Sequence, residues 1–272
     1  MPTDVQIANR ALSRLGDLRV TSLAGGAGAK KTERAMADCF VLVRQEVLRE
    51  HPWNCALRRD TLSWTQQAIV APGITSATQA VVSVTAHGRS VGDYVRFDDV
   101  LGMSQINGMV GKIVVASNPN DFTVDIDTTT FSAWSSGGTV TLVPAWAYAN
   151  LYALPSTPGS DYCLRVLEVE GQENDDWTTE GRNLLIDADS PIKIWYIRDL
   201  QTYDDYDALL VSAFAARLAV EVAEELTNSS GKRQLAWEEY TRILQMAKGA
   251  DAREQTPSAW DEDDWILSRE FF

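Results

Sequence analysis

The chain has 272 residues, 24 Lys and Arg against 38 Asp and Glu, and a formal net charge of -14. That balance excludes a surface built to grip DNA or anionic lipid, which need a positive field, but it permits a wall that DNA slides past without sticking. A hydrophobic share of 45% is ample for a core in one large domain or two.

Pro2-Thr3-Asp4 opens a first helix, with Thr3 as cap and Gln6 three residues on as in a capping box. Ala8, Ala11, Leu12 and Leu15 give it one apolar face, and Gly16 ends it. After the glycine-rich loop Ala24 to Lys30, Thr32 is read as the cap of a second helix. Met36, Phe40, Val43 and Val47 form its stripe, with Cys39 and Leu42 beside it. Pro52 stops this helix and Trp53 follows as an anchor.

From Thr61 the period changes, and Leu62 and Trp64 alternate as in a strand. Residues 74–142 have another character, rich in Val, Thr, Gly and Asn. VVSVTAHG, DYVRF, KIVVA, FTVDI and GTVTLV are short strand candidates separated by turn residues. Their spacing predicts a small all-β barrel or sandwich inserted into the surrounding domain.

The first pattern resumes with an extended Ala145 to Leu154 and a strand at Cys163 to Val169. Trp177–Thr179 and Leu184–Ile186 flank a turn, and Ile192, Ile194 and Tyr196 alternate, which predicts one antiparallel meander. Tyr206 to Leu226 is the most apolar element. Val211, Ala215, Leu218, Val222 and Leu226 form one stripe, and Leu209, Ala213, Ala216, Val220 and Ala223 a second. The stripes leave only a narrow polar line, on which Arg217, Glu221 and Glu225 sit, so this helix, capped by Asp204 or Asp205, needs neighbours on several sides.

A tight connection at Asn228 to Gly231 leads to a last helix with Ala236, Tyr240, Ile243, Ala247 and Ala250 on one face, antiparallel to the one before. The expected class is α+β, a bundle of about four helices with an antiparallel β lobe. Residues 1–73 and 143–254 form the core, 74–142 the insertion and 255–272 a tail.

No stretch points to catalysis or a cofactor. The only histidines, His51 before a proline and His87 in a His-Gly turn, lie at no metal-ligand spacing and read as structural. GGAGAKKT at Gly25 to Thr32 has Lys30 where a phosphate loop needs Gly, and Ser230-Gly231-Lys232-Arg233 lacks the upstream Gly. Cys39, Cys55 and Cys163 are few and far apart, which suggests no disulfide framework and a reducing compartment. No signal peptide is expected, and the charge-free run Ala208 to Ala216 is too short to span a bilayer. The tail alternates acids with Trp260, Trp265, Ile266, Phe271 and Phe272, side chains favoured as interface anchors. Lys232 and Arg233 lie in the first turn of the last helix, where the dipole disfavours cations.

Several segments together resemble the tail tubular protein A family, the head-to-tail adaptors of short-tailed bacteriophages. They are Ile7-Ala8-Asn9-Arg10-Ala11-Leu12, His51-Pro52-Trp53-Asn54, Tyr152-Ala153-Leu154-Pro155, Cys163-Leu164-Arg165-Val166, Thr179-Glu180-Gly181, Tyr196-Ile197-Arg198-Asp199, Lys232-Arg233-Gln234 and Asp251 to Pro257. The likeness covers the chain outside the insertion. It implies a virion protein without catalytic residues, cofactor or metal, made in the host bacterial cytoplasm and placed at the head-tail junction. Twelve copies would form a ring below the portal protein, around the channel through which DNA passes without specific binding. The ring would offer surface to the tail nozzle and to fibres or spikes, with no membrane involved. On this reading Trp260, Asp263, Asp264, Trp265, Ile266, Arg269, Phe271 and Phe272 dock on the portal, and Arg217, Glu221, Lys232 and Arg233 are candidates for contact between subunits. Within the insertion, Ala86-His87-Gly88, Gly92-Asp93, Val95-Arg96-Phe97, Ile106-Asn107-Gly108 and Ser136-Gly137-Gly138-Thr139-Val140 resemble the small β domain of ubiquitin-activating enzymes. That implies a portable β module and no activity. The alternative reading is a carbohydrate- or protein-binding tail module acting through this insertion.

Overall fold

The computed structural model describes residues 3–23, 26, 28–157 and 161–254. The protein is α+β and falls into two compact units: residues 1–57, 158–165 and 197–272, and residues 58–157 and 166–196.

The first unit is helical. α1 (Asp4–Leu15) begins with the expected box: Thr3 Oγ1 accepts from Gln6 N at 3.3 Å and Gln6 Oε1 from Thr3 N at 3.1 Å. Gly16 closes it at φ 72°, a left-handed turn that costs glycine little. α2 (Lys31–Glu50) starts earlier than predicted. Lys30 is the cap, its N–H held by Glu33 at 3.0 Å, and Thr32 lies within the helix. Met36, Phe40, Val43 and Val47 are buried, but Leu42 is 68% exposed. Trp53 is buried, and its indole donates to Val47 O at 2.9 Å.

α3 (Ala208–Thr227) is capped by Asp207, not by Asp204 or Asp205. Those two fall in a short 3-10 turn, Tyr203–Asp205, and Asp207 accepts from Leu209 N at 2.8 Å. Its interior positions from Leu210 to Ala223 are buried except Ser212, Arg217 and Glu221, because α1, α2 and α4 (Ser230–Glu254) all pack on it. Five buried alanines let the neighbouring helices approach closely. α3 ends at Asn228, φ 48°, and the connection to α4 is shorter than predicted.

One buried ion pair stands inside this apolar unit. Arg44 on α2 meets Asp199 in a fork, Nε to Oδ1 at 2.9 Å and Nη2 to Oδ2 at 3.0 Å, and Gln45 adds a bond to the same carboxylate at 3.0 Å. Burial opposes the Arg44 charge. Hydrogen bonds to Asp199 and Tyr203 outweigh it and raise the guanidinium pKa.

The second unit is β. β1 (Leu57–Leu62) starts in the helical unit and stops before Trp64, earlier than the alternation suggested. β2 (Gln66–Ala68), β3 (Val81–Ser83), β4 (Tyr94–Leu101), β5 (Val110–Asn118), β6 (Asp121–Val124) and β7 (Ser136–Val143) form an antiparallel sheet ordered β2-β7-β4-β5-β6-β3. The five predicted strands are all present. The sequence missed only β2, three residues too polar to show a pattern. The strand order is open rather than a closed barrel. The chain beyond β2 links its two edges, since Ile69 N donates to Gly138 O and Val70 N to Ser83 O, both at 2.9 Å. Val95, Phe97, Ile113, Phe122 and Val140 fill its core.

The lobe is not one meander. β8 (Asn150–Ala153), β10 (Trp177–Glu180) and β11 (Asn183–Ile186) form a sheet ordered β10-β11-β8. β9 (Cys163–Val169) instead joins β1 and β12 (Ile192–Arg198) in the order β1-β12-β9. Only Asn150 to Ala153 of the predicted extended stretch is a strand. Asn150, 2% exposed, fixes β8: it accepts from Arg96 Nη1 at 3.1 Å and donates to Ala188 O at 3.1 Å.

Removing one member of a buried pair strands the other. Asp199→Ala should therefore lower unfolding free energy by about 3–5 kcal/mol, read from the urea midpoint. Gly102 sits at φ 84°, and an added Cβ would lie 2.4 Å from Ala133 O. Gly102→Ala should cost more than about 1 kcal/mol by the same measurement.

Candidate functional site

The predicted portal-docking residues Trp260, Asp263, Asp264, Trp265, Ile266, Arg269, Phe271 and Phe272 lie outside the described residues. The four candidates for subunit contact are all in the helical unit. Arg217 leaves α3 with its side chain 13% exposed, between Glu46 on α2 at 2.9 Å and Glu221 one turn on at 2.9 Å. Burial works against its charge, yet the bonds to Glu221 and Glu46 raise its pKa. Arg217 and Glu221 thus find partners within one protomer.

Lys232 and Arg233 differ from each other. Lys232 Nζ donates to Leu15 O at 2.9 Å, so the lysine that burdens the start of α4 serves the carbonyl end of α1, where the helix dipole favours a cation. Lys31 does the same for α3 by donating to Glu225 O. Arg233 meets Glu224 at 3.0 Å with both side chains more than half exposed, an arrangement that contributes little.

The titratable groups elsewhere are held in structural roles. His87 Nδ1 accepts from Arg89 N at 3.0 Å, which leaves Nε2 to donate to Asn118 O at 2.7 Å. His51 donates to Asp251 at 3.1 Å, and the same carboxylate accepts from Asn54 N at 3.0 Å. Burial pushes the Cys39 thiol up to about 11 and the Cys55 thiol up to about 12, with Glu221 and Asp251 the largest charge contributions respectively. Neither is a thiolate at neutral pH. Among the described residues no three His, Cys, Asp or Glu side chains converge as metal ligands.

What the helical unit does present is an apolar outer surface. Val41 and Leu42 are exposed on α2, and Leu235, Trp237 and Met246 on α4. Leu235 and Met246, eleven residues apart, share one stripe, and Trp237 stands further round beside the buried Tyr240. Sequence reasoning missed these side chains. Leu42 lies beside the apolar stripe of α2 in the sequence, and the clearest apolar period of α4 belongs to its buried face. The signal was there in α4, which carries more large apolar residues than one face needs. In the β unit Trp146 is the most exposed of the large apolar side chains, at 82%.

Residues 77–144 match the family model of the ubiquitin-activating enzyme E1 FCCH domain. The span covers about a quarter of the chain and contains β3 to β7. The inserted β domain is similar to that domain. No curated protein matches the chain.

Two outcomes follow from the helical site. Arg217→Glu would set three carboxylates together, and should cost the protomer about 2 kcal/mol, measured by urea unfolding at low protein concentration. Unchanged stability would mean that the Glu46 and Glu221 contacts do not matter to the protomer. The raised thiols hold their protons more tightly folded than unfolded. Their contribution is full below about pH 9 and is lost as pH rises through 11 to 12. The fall in urea midpoint between pH 8 and 10.5 should be shallower in a Cys39→Ala, Cys55→Ala variant.

Proposed function

We propose that the protein is a structural head-to-tail adaptor of a short-tailed bacteriophage, a ring of identical subunits between the portal and the tail nozzle, and that it catalyses no reaction. The observation that carries the reading is the helical hairpin α3–α4. Its inner face is closed within the protomer, while its outer helix shows Leu235, Trp237 and Met246 to solvent. A closed ring is built from one repeated heterologous contact, and exposed apolar side chains on a rigid helix suit such a contact. The family likeness along the chain outside the insertion supports the same reading, as does the charge of -14, which lets DNA phosphate pass without capture. In this proposal the ring has twelve copies, the tail from Trp260 to Phe272 docks on the portal, and fibres or spikes attach outside.

A second reading, a carbohydrate- or protein-binding tail module acting through the β insertion, is favoured by the FCCH match at 77–144. The sheet runs from Gln66 to Val143, so excision of 66–143 removes it whole. A shortened protein that still assembles on the portal makes the insertion an accessory.

The deciding measurement is mass in solution, alone and with portal rings. We expect a large ring in the presence of portal, and we expect deletion of 258–272 to abolish joining while leaving the fold intact by circular dichroism. Portal binding unchanged by that deletion overturns the tail assignment, and no association with portal overturns the adaptor reading.

A further inference from the structure

A cavity of about 390 Å³ lies in the β unit, beside the sheet of β8, β10 and β11. Its floor is a cross-strand row: Thr178 on β10 stands opposite Leu185 on β11, which stands opposite Leu151 on β8. The segment joining β7 to β8 supplies Trp146 and Tyr148 to the lining. Between them Ala147 takes φ 72°, a conformation that residues with a Cβ adopt only when the surroundings impose it. Trp146 keeps 82% of its surface in solvent. The rim also carries Glu180, exposed and without an ion pair among the described residues.

We infer that this cavity binds the cationic side chain of an extended Lys- or Arg-bearing segment of a partner protein. Two aromatic rings and the Glu180 carboxylate around one hollow are the groups that recognise an ammonium or guanidinium, through the negative ring faces and direct charge. β10 is an edge strand of its sheet, a position at which the backbone of an extended segment can pair while its side chain enters beside Glu180. The net charge of -14 draws basic partners toward the protein. The inference does not depend on the adaptor reading.

The test uses the full chain and a fluorescein-labelled peptide of alternating valine and lysine, followed by anisotropy. Trp146→Ala changes no charge and removes no core contact, and should weaken binding by about fivefold or more; Tyr148→Ala and Glu180→Gln should weaken it similarly. Trp237→Ala, an exposed indole of the helical unit, should bind as the parent does. Circular dichroism checks that each variant is folded. A peptide that fails to bind, or binds Trp146→Ala as tightly as the parent, overturns the inference. Displacement of the peptide by the neutral sugar maltohexaose would reassign the cavity to carbohydrate and overturn it as well.

Discussion

The helical unit is organised by the enclosure of α3. A twenty-residue helix with eleven buried positions has almost no face left for water, so stability requires neighbours on three sides. The chain supplies them from both ends of the sequence, α1 and α2 before the β unit and α4 after it. Alanines at 213, 215, 216, 219 and 223 set how near these helices can come. Side chains of Phe214 and Phe40, with ring centroids 5.1 Å apart, fill the space they leave. Burial of this kind is non-directional. It brings the helices together without deciding their axial positions.

Those positions are decided by polar contacts made at helix ends and at one place in the core. Lys31 and Lys232 each reach a carbonyl at the C-terminal end of a neighbouring helix, so each fixes one helix end against another. Arg44 must meet Asp199, because either charge alone in that apolar setting would cost more than the pair returns. The fork geometry accepts few displacements. It therefore registers α2 against the segment that leads into α3, where Tyr203 and Tyr206 stack near Phe40 and Phe214.

Much of this was legible because period and position carry the information. The Thr3–Gln6 box, the five strands of the insertion and the two stripes of α3 all follow from spacing and are present, except that Leu209 and Leu226 at the ends of the stripes are only half-buried. The failures have physical causes. Asp204, Asp205 and Asp207 are equally good caps in isolation, and the tertiary placement of Tyr203 and Tyr206 selected Asp207. Pairing of β9 with β12 rather than β10 is a long-range choice that alternation within a strand does not encode. Arg44 looked like one more charge on a helix, since its partner lies 155 residues away. Among the candidate contact residues, Arg217 and Lys232 have partners within their own chain, and the helical unit also exposes apolar side chains that charge alone does not reveal.

That distinction bears on how the proposed ring could hold together. Each copy carries -14, so bringing twelve together accumulates like charge that counterions screen only over about 8 Å at physiological ionic strength. Ion pairs could offset this if free cations faced the neighbour. Yet Arg14, Arg44, Arg217 and Lys232 are held by Glu239, Asp199, Glu46 with Glu221, and Leu15 O of their own chain. Exposed pairs such as Arg233 with Glu224 return little. Exposed cations such as Arg34, Arg49 and Arg242 have no ion pair among the described residues, but pairs made at an exposed surface return little. The larger attraction comes from surface that gains by leaving water, and Leu18, Val41, Leu42, Leu235, Trp237 and Met246 are the exposed large apolar side chains of the helical unit. Burial at about 25 cal/mol per Å² needs several hundred Å² per contact to overcome both repulsion and lost freedom of motion. These side chains supply only part of that area. On this balance the ring is marginal by itself, and a portal that presents many docking sites at fixed spacing would raise the effective concentration of neighbours enough to close it.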